Sequence, residues 1–301
     1  MHIDTGSSDL WTNTDFSILC SSFFSPCADS GTYDLTESST YDFVNDDFFI
    51  QYADGSAAFG YYATDVFRIG DVEIDDLQFG IGLDSSSQNG ILGIGYPLNE
   101  VQVVLNREAP YPNIPVRLLE EGHINSLSYS IWLNDLDANT GSILFGGVDT
   151  EKYDGQLSTL PVLSEDGIIA EFTIALTGIG INGEEGSVYD GGEDNFIPVL
   201  LDTGATLTYL PNDIVQALYE RYDVSLLEGS SEPFVDCDLA NSDDTLDFTF
   251  TGPTISVPMN EMVINLGPTP FQEGDTCFFG EFSVSLFPVN REVLDTYPPF
   301  H

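Results

Sequence analysis

The chain has 301 residues, room for two ordinary domains or one large two-lobed one. At 42% hydrophobic and 12% aromatic it carries ample material for a core, which argues against wholesale disorder. Six Lys+Arg against 50 Asp+Glu leave a net charge of −44, a surface that repels phosphate backbones and anionic headgroups and so disfavours nucleic-acid and membrane-surface binding.

Taken in chain order, Met1-His2-Ile3-Asp4 lacks the charged and apolar regions of a signal peptide. Cys20 and Cys27 follow, near enough to close a short local loop, and Cys237 and Cys277 could close a longer one; the bland alternative is four reduced thiols. The even count, the absence of any CxxC and a secreted-looking composition favour two disulfides. Strands are predicted at Phe48–Tyr52, Tyr61–Ile69, Ser128–Leu133, Ser142–Phe145 and Phe172–Ile181, each rich in β-branched and aromatic residues. Pro115–Glu121 and Asn212–Tyr222 read as helices, the second with Ile214, Val215, Leu218 and Tyr222 on one face. Pro161–Gly167 reads as a crossing between halves and Glu184–Asn195 as an acid-rich surface loop. No run of about 18 apolar residues exists to span a bilayer. The isoelectric point near 4.1 fits a working life in an acidic compartment or medium.

An internal repeat carries the chemistry. Ile3-Asp4-Thr5-Gly6-Ser7-Ser8-Asp9-Leu10-Trp11 returns as Leu201-Asp202-Thr203-Gly204-Ala205-Thr206-Leu207-Thr208-Tyr209. One Asp-Thr-Gly is no more than a turn closed by an Asx hydrogen bond. Two in matching contexts would bring a pair of carboxylates together. Carboxylates about 3 Å apart cannot both ionise, so they hold one proton between them; one member deprotonates water while the other polarises a carbonyl. The threonine hydroxyl can brace such a loop, and Gly6 and Gly204 let backbone approach the carboxylates. A Gly- and Ser-rich hairpin around Tyr52 could close over a substrate, although alone it is equally a plain surface hairpin. Asp135-x-Asp137-x-Asn139 resembles the start of a calcium loop, but its glycine falls one place late, so a hairpin turn is expected. His2, His123 and His301 form no metal-ligand spacing, no Gly-x-Ser-x-Gly elbow exists, and Asp42, Asp46 and Asp47 read as a solvated face.

The paired loops resemble the two active loops of pepsin-like aspartic endopeptidases. Ile50-Gln51-Tyr52-Ala53-Asp54-Gly55-Ser56 is similar to the family's flap, and Trp11 sits where the family has a tryptophan bonded to the flap tyrosine. Asn89–Gly95 is similar to the element threaded behind the first loop, and Ser142–Asp149 to the strand and turn closing the first lobe. The cysteine placement and Val235-Asp236-Cys237 look most like the fungal secreted and yapsin-like branch.

The resemblance implies a mostly-β, bilobal fold: two duplicated β lobes flanking a cleft, at 1–160 and 168–280, with 281–301 a tail unlike the family. It implies an acid endopeptidase with Asp4 and Asp202 catalytic and Thr5, Gly6, Ser7, Thr203, Gly204 and Thr206 supporting them. Trp11, Tyr52, Ala53, Asp54 and Gly55 would form the flap and substrate contacts, and Cys20–Cys27 and Cys237–Cys277 the disulfides. No cofactor or metal is expected. The partners would be protein or peptide substrates of a monomer that is secreted or cell-wall associated. Both ends depart from the family pattern, so truncation is expected. The alternative reading is a catalytically inactive homologue that keeps a peptide-binding or surface role. The charge itself predicts a tilt toward substrates with Lys or Arg near the cut.

Overall fold

The computed structural model describes residues 1–283 except 25, 135–137, 139, 227–231 and 269–273, and the backbone alone of 281–283. The chain divides into two units. The first comprises residues 1–156, 164–172 and 201–204, so the second Asp-Thr-Gly packs with the first unit.

In the first unit, β1 (His2–Asp4), β2 (Leu10–Asn13), β3 (Asp42–Gln51), β4 (Ala57–Ile69), β5 (Val72–Ser85) and β6 (Ile91–Gly93) form one sheet, ordered β1-β6-β2-β5-β4-β3. The longest pairing is the β4–β5 hairpin, turned at Gly70, whose φ of 56° suits a residue without Cβ. These strands bury Ala58, Tyr62, Ile74, Leu77 and Ile81. Two short helices cover them, α1 (Val101–Val104) and α2 (Ile114–Glu120). Pro115 sits in the first turn of α2, where its missing N–H is harmless, and Ile114 and Leu118 face the core. A two-stranded ribbon, β7 (Tyr129–Trp132) with β8 (Ser142–Phe145), completes the unit. Asp42, Asp46 and Asp47 lie exposed on β3, as a solvated face requires. Asp135, Asp137 and Asn139 fall outside the described residues.

The second unit comprises residues 157–163 and 173–200 and everything from 205 onward that is described. Its centre is β9 (Thr173–Ile181), which pairs with β10 (Glu184–Asp190), β11 (Ile197–Leu200) and β15 (Thr245–Phe250), the last pairing in turn with β16 (Thr254–Pro258) once β12 (Thr208–Leu210), β13 (Ser225–Leu226) and β14 (Pro233–Val235) have been passed. The acid-rich loop expected at Glu184–Asn195 is therefore corrected: its first seven residues are a strand. Asn182 and Gly183, both at positive φ (54° and 78°), make a tight turn that folds Glu184–Asp190 back onto β9.

Helix α3 (Asn212–Arg221) buries Ile214, Val215 and Leu218, as the periodicity predicts. The remaining elements are α4 (Met259–Met262), β17 (Val263–Pro268), β18 (Asp275–Phe279) and β19 (Glu281–Ser283). A second sheet runs β13-β14-β18-β17 and carries the Cys237–Cys277 disulfide, while Cys20–Cys27 closes the short loop in the first unit; both expected bridges are present. The segment after Gly280 opens with β19, paired in parallel with β12; residues 284–301 of the expected tail lie outside the described residues. Among the described residues no helix is long and apolar enough to cross a membrane.

Candidate active site

The two Asp-Thr-Gly loops meet within the first unit. Thr5 Oγ1 donates to the Leu201 carbonyl at 2.7 Å, and Thr203 Oγ1 donates to the Ile3 carbonyl at 2.8 Å. Each hydroxyl also accepts from the opposite loop: Thr203 N–H reaches Thr5 Oγ1 at 3.0 Å, and Thr5 N–H reaches Thr203 Oγ1 at 3.2 Å. Four reciprocal bonds join the two loops across 196 to 200 residues of sequence, and a threonine at each position is the residue that can donate and accept at once.

Each aspartate closes its own turn. Gly6 N–H donates to Asp4 Oδ1 at 2.8 Å, and Gly204 N–H donates to Asp202 Oδ1 at 2.7 Å. Asp4 is 4% exposed, and Ser7 Oγ donates to its Oδ2 at 2.5 Å; Asp202 is half-buried. The glycines register how close the carboxylates come. A Cβ on Gly6 would stand 2.4 Å from Asp202 Cγ, and one on Gly204 would stand 2.6 Å from Asp4 Oδ1 and 3.1 Å from Asp202 Oδ1. Both carboxyl groups thus converge on one small volume that only glycine leaves open. Thr206 lies exposed in the second unit, four residues beyond Asp202.

The first loop is held from behind by the segment that follows β5. β6 pairs in parallel with β1, placing Asp4 against Gly93. Ile94 N–H then donates to the Asp4 carbonyl, Gly95 N–H to the Ser7 carbonyl, and Ser8 Oγ to the Tyr96 carbonyl. A Cβ at Gly93 or Gly95 would meet that loop's backbone at 2.6–2.9 Å, so the glycines in Gly93-Ile94-Gly95 are required by the close approach. Two asparagines not singled out in the sequence add to this. Asn99 Nδ2 donates to the Gly6 carbonyl at 3.2 Å, and Asn113 Nδ2 to the Gly95 carbonyl at 2.9 Å. Neither belongs to a repeated motif, and only the fold brings them here.

The segment expected as a flap is the tip of the β3–β4 hairpin. There Tyr52 N–H bonds the Ser56 carbonyl, Asp54 Oδ1 accepts from Ser56 N–H, and Gly55 takes φ 84°. Ala53, Asp54 and Gly55 are exposed. Trp11, 1% exposed at the end of the first active loop, donates from Nε1 to Tyr52 Oη at 2.7 Å, tying the flap to the loop that carries Asp4. Burial holds the Tyr52 phenol above its ordinary range, and the nearby carboxyls of Asp4 and Asp9 add to it, so it stays a neutral hydroxyl.

Beneath the flap lies a buried polar cluster invisible in the sequence. Asp9 Oδ1 accepts from Tyr62 Oη at 2.7 Å and Tyr111 Oη at 2.9 Å, and its Oδ2 accepts from Val101 N–H at 2.8 Å. Burial raises the Asp9 carboxyl against those three bonds, and it pushes the neighbouring Glu100 carboxyl up to about 9.

The family model for eukaryotic aspartyl protease matches residues 1–290. The chain is 47% identical over 281 residues to the probable aspartic-type endopeptidase opsB of Aspergillus oryzae, covering 92% of this chain and 58% of the relative. It is 35% identical over 289 residues to an acid protease of Saccharomycopsis fibuligera (93% and 68% covered) and 35% identical over 287 residues to candidapepsin-3 of Candida albicans (91% and 66%). The chain thus spans a little under three fifths of the opsB relative's length. With the family model matched over nearly its whole length, the chain belongs to the eukaryotic aspartyl proteases.

Proposed function

We propose that the chain is the aspartic-type endopeptidase of its family, with Asp4 and Asp202 as the catalytic pair. The observation that carries the reading is the convergence of the two carboxylates on the Gly6–Gly204 volume, held by the four threonine bonds. In this reading the pair shares one proton and holds a water. The ionised member takes a proton from that water as it attacks the scissile carbonyl, and the protonated member gives its proton to the carbonyl oxygen. The product is a tetrahedral diol with no covalent bond to the protein, and a proton passed to the departing amine completes hydrolysis. Ser7 braces Asp4 at its Oδ2, and Thr206 is assigned the matching role at Asp202. The Tyr52–Gly55 tip covers an extended peptide and offers backbone groups to it. The whole activity requires one proton on the pair, so the rate is bell-shaped in pH and highest in acid.

The substrates are proteins or peptides, and a monomer working outside the cell or at the cell wall fits the two disulfides and the charge. The test is cleavage of an acid-denatured protein by the chain and by its Asp4→Asn and Asp202→Asn variants, with and without a pepstatin-type inhibitor. Loss of turnover in both variants and in the inhibited parent supports the reading. Cleavage surviving either substitution overturns it, and inhibitor binding without turnover in the parent would assign a peptide-binding role instead.

A further inference from the structure

Glu100 is a buried ionisable group with little to accommodate a charge. Its side chain is 0% exposed. One carboxyl oxygen, Oε2, accepts the Tyr111 N–H at 2.8 Å; the other, Oε1, is buried without a hydrogen-bond partner. The groups facing it are Asp9 from the first active loop, Tyr62 from β4 and Tyr111 from the segment before α2. Two are phenols and the third is an acid, so none neutralises a negative charge. Arg68, Arg117 and His123 pair with Glu73, Glu120 and Glu121, and among the described residues no ion pair reaches Asp9 or Glu100. A neutral carboxylic acid suits this site. A carboxylate here would be a buried charge beside another acid, with no cation to compensate it.

The position matters because of what Glu100 joins. Its backbone N–H bonds the Pro97 carbonyl and its own carbonyl accepts from Val103 and Val104 N–H, so it is the junction between the Pro97–Asn99 turn and α1. The residue before it, Asn99, donates to the Gly6 carbonyl, and the residue after it, Val101, donates to Asp9. Both neighbours grip the loop that carries Asp4.

We propose that Glu100 is a proton-dependent latch on the first active loop: as the neutral acid it lets Asn99 and Val101 hold the loop, and its ionisation releases them. The upper pH limit of the folded first unit is then set by this buried acid, separately from the titration of the Asp4–Asp202 pair. The sign follows from the environment. Burial raises the Glu100 carboxyl from 4.5 to about 9 in the fold. Its contribution to stability is therefore whole below about pH 4.5 and is lost as pH rises toward 9.

The test compares thermal unfolding of the parent with Glu100→Gln between pH 4 and 9, using Glu185→Gln, at an exposed position in the second unit, as the control for removing one negative charge. The parent's midpoint should fall with pH, and its deficit against Glu100→Gln should widen by about 2 °C per pH unit between 5 and 9, while Glu185→Gln runs parallel to the parent. Parallel curves for Glu100→Gln and the parent would overturn the latch. Should the variant not fold, hydrogen exchange on the parent alone decides: peptides from 4–12 and 96–112 should lose protection together as pH rises, before peptides from β15 and β16. Loss starting in the second unit overturns the proposal. Only a third readout, cleavage recovered after a hold at pH 8.5, rests on the protease reading. If neither protein cleaves, that reading fails while the unfolding and exchange outcomes still judge the latch.

Discussion

Adding a single methyl group at Gly6 tests the geometry of the carboxylate pair without removing either acid. Gly6 has an ordinary backbone conformation, so alanine strains nothing locally and the effect is purely steric. Its Cβ would stand 2.4 Å from Asp202 Cγ, and 2.5 and 2.6 Å from the two carboxyl oxygens. Contact between carbon atoms is comfortable only at about 3.5 Å or more, so the carboxyl group must retreat by about 1 Å. A displacement of that size at reacting atoms is worth about 10² in rate, or roughly 2.7 kcal/mol of barrier. Gly6→Ala should therefore lower kcat about a hundredfold, with a stability loss of about 1 kcal/mol where the retreat weakens the Gly204 N–H bond to Asp202.

Gly204→Ala presses instead on Asp4, which Gly6 N–H and Ser7 Oγ hold in place. Moving it breaks bonds to a charged group, so this variant should lose activity and also about 1–3 kcal/mol of stability. Gly147→Ala is the control: its nearest neighbour, Leu144 Cδ2, is 3.9 Å away, and full activity is expected. The assay is initial-rate cleavage of a chromogenic peptide in acid, beside thermal unfolding of the same samples. Gly6→Ala turning over within threefold of the parent would refute the assignment of Asp202 to the reacting pair.

Three further outcomes are expected. Tyr52→Phe strips the acceptor from the buried Trp11 N–H and should cost about 1–3 kcal/mol in urea unfolding as well as slowing cleavage; an unchanged urea midpoint would show that the bond carries no stability. Replacing Cys237 and Cys277 by serine opens a 40-residue separation and should cost about 4 kcal/mol, against about 2 for Cys20 and Cys27 with their separation of 7; equal losses in guanidinium unfolding would count against loop entropy as the cause. Because 50 acids face 6 bases, cationic peptides should be cleaved preferentially, and the preference should weaken between low and high salt; a peptide-library profile without enrichment of Lys or Arg near the cut, or insensitive to salt, rejects the electrostatic argument.

What the sequence disclosed follows from what the chemistry repeats. The two loops at Asp4 and Asp202 were legible because each needs the same parts: an acid, a hydroxyl that bonds both ways, and a glycine leaving room for the opposite carboxylate. Helices α2 and α3 were legible within a residue or two of each end because an apolar face at helical spacing has few other uses. The strand at Glu184–Asp190 escaped because its acids and glycine mask the alternation; the signal was the Asn182-Gly183 turn before it, whose paired positive φ values commit the chain to a hairpin whatever follows.

Asp9 and Glu100 escaped for a deeper reason. In a chain of 50 acids the sound prior for any one of them is solvent, and Asp42, Asp46 and Asp47 obey it. Burial of two acids in one cluster is decided by contacts between β4, α1 and the first active loop, over separations of 53 to 102 residues that no local pattern encodes. Yet the same composition explains why such a cluster can persist. A protein whose self-repulsion vanishes only near pH 4 folds best where carboxyl groups are half neutral already. Under those conditions a buried neutral glutamic acid carries little electrostatic penalty, and it becomes a liability only when the medium turns alkaline. The surface charge and the latch therefore restrict the fold in the same direction, and the acid conditions that favour both are those in which a carboxylate pair sharing one proton can work.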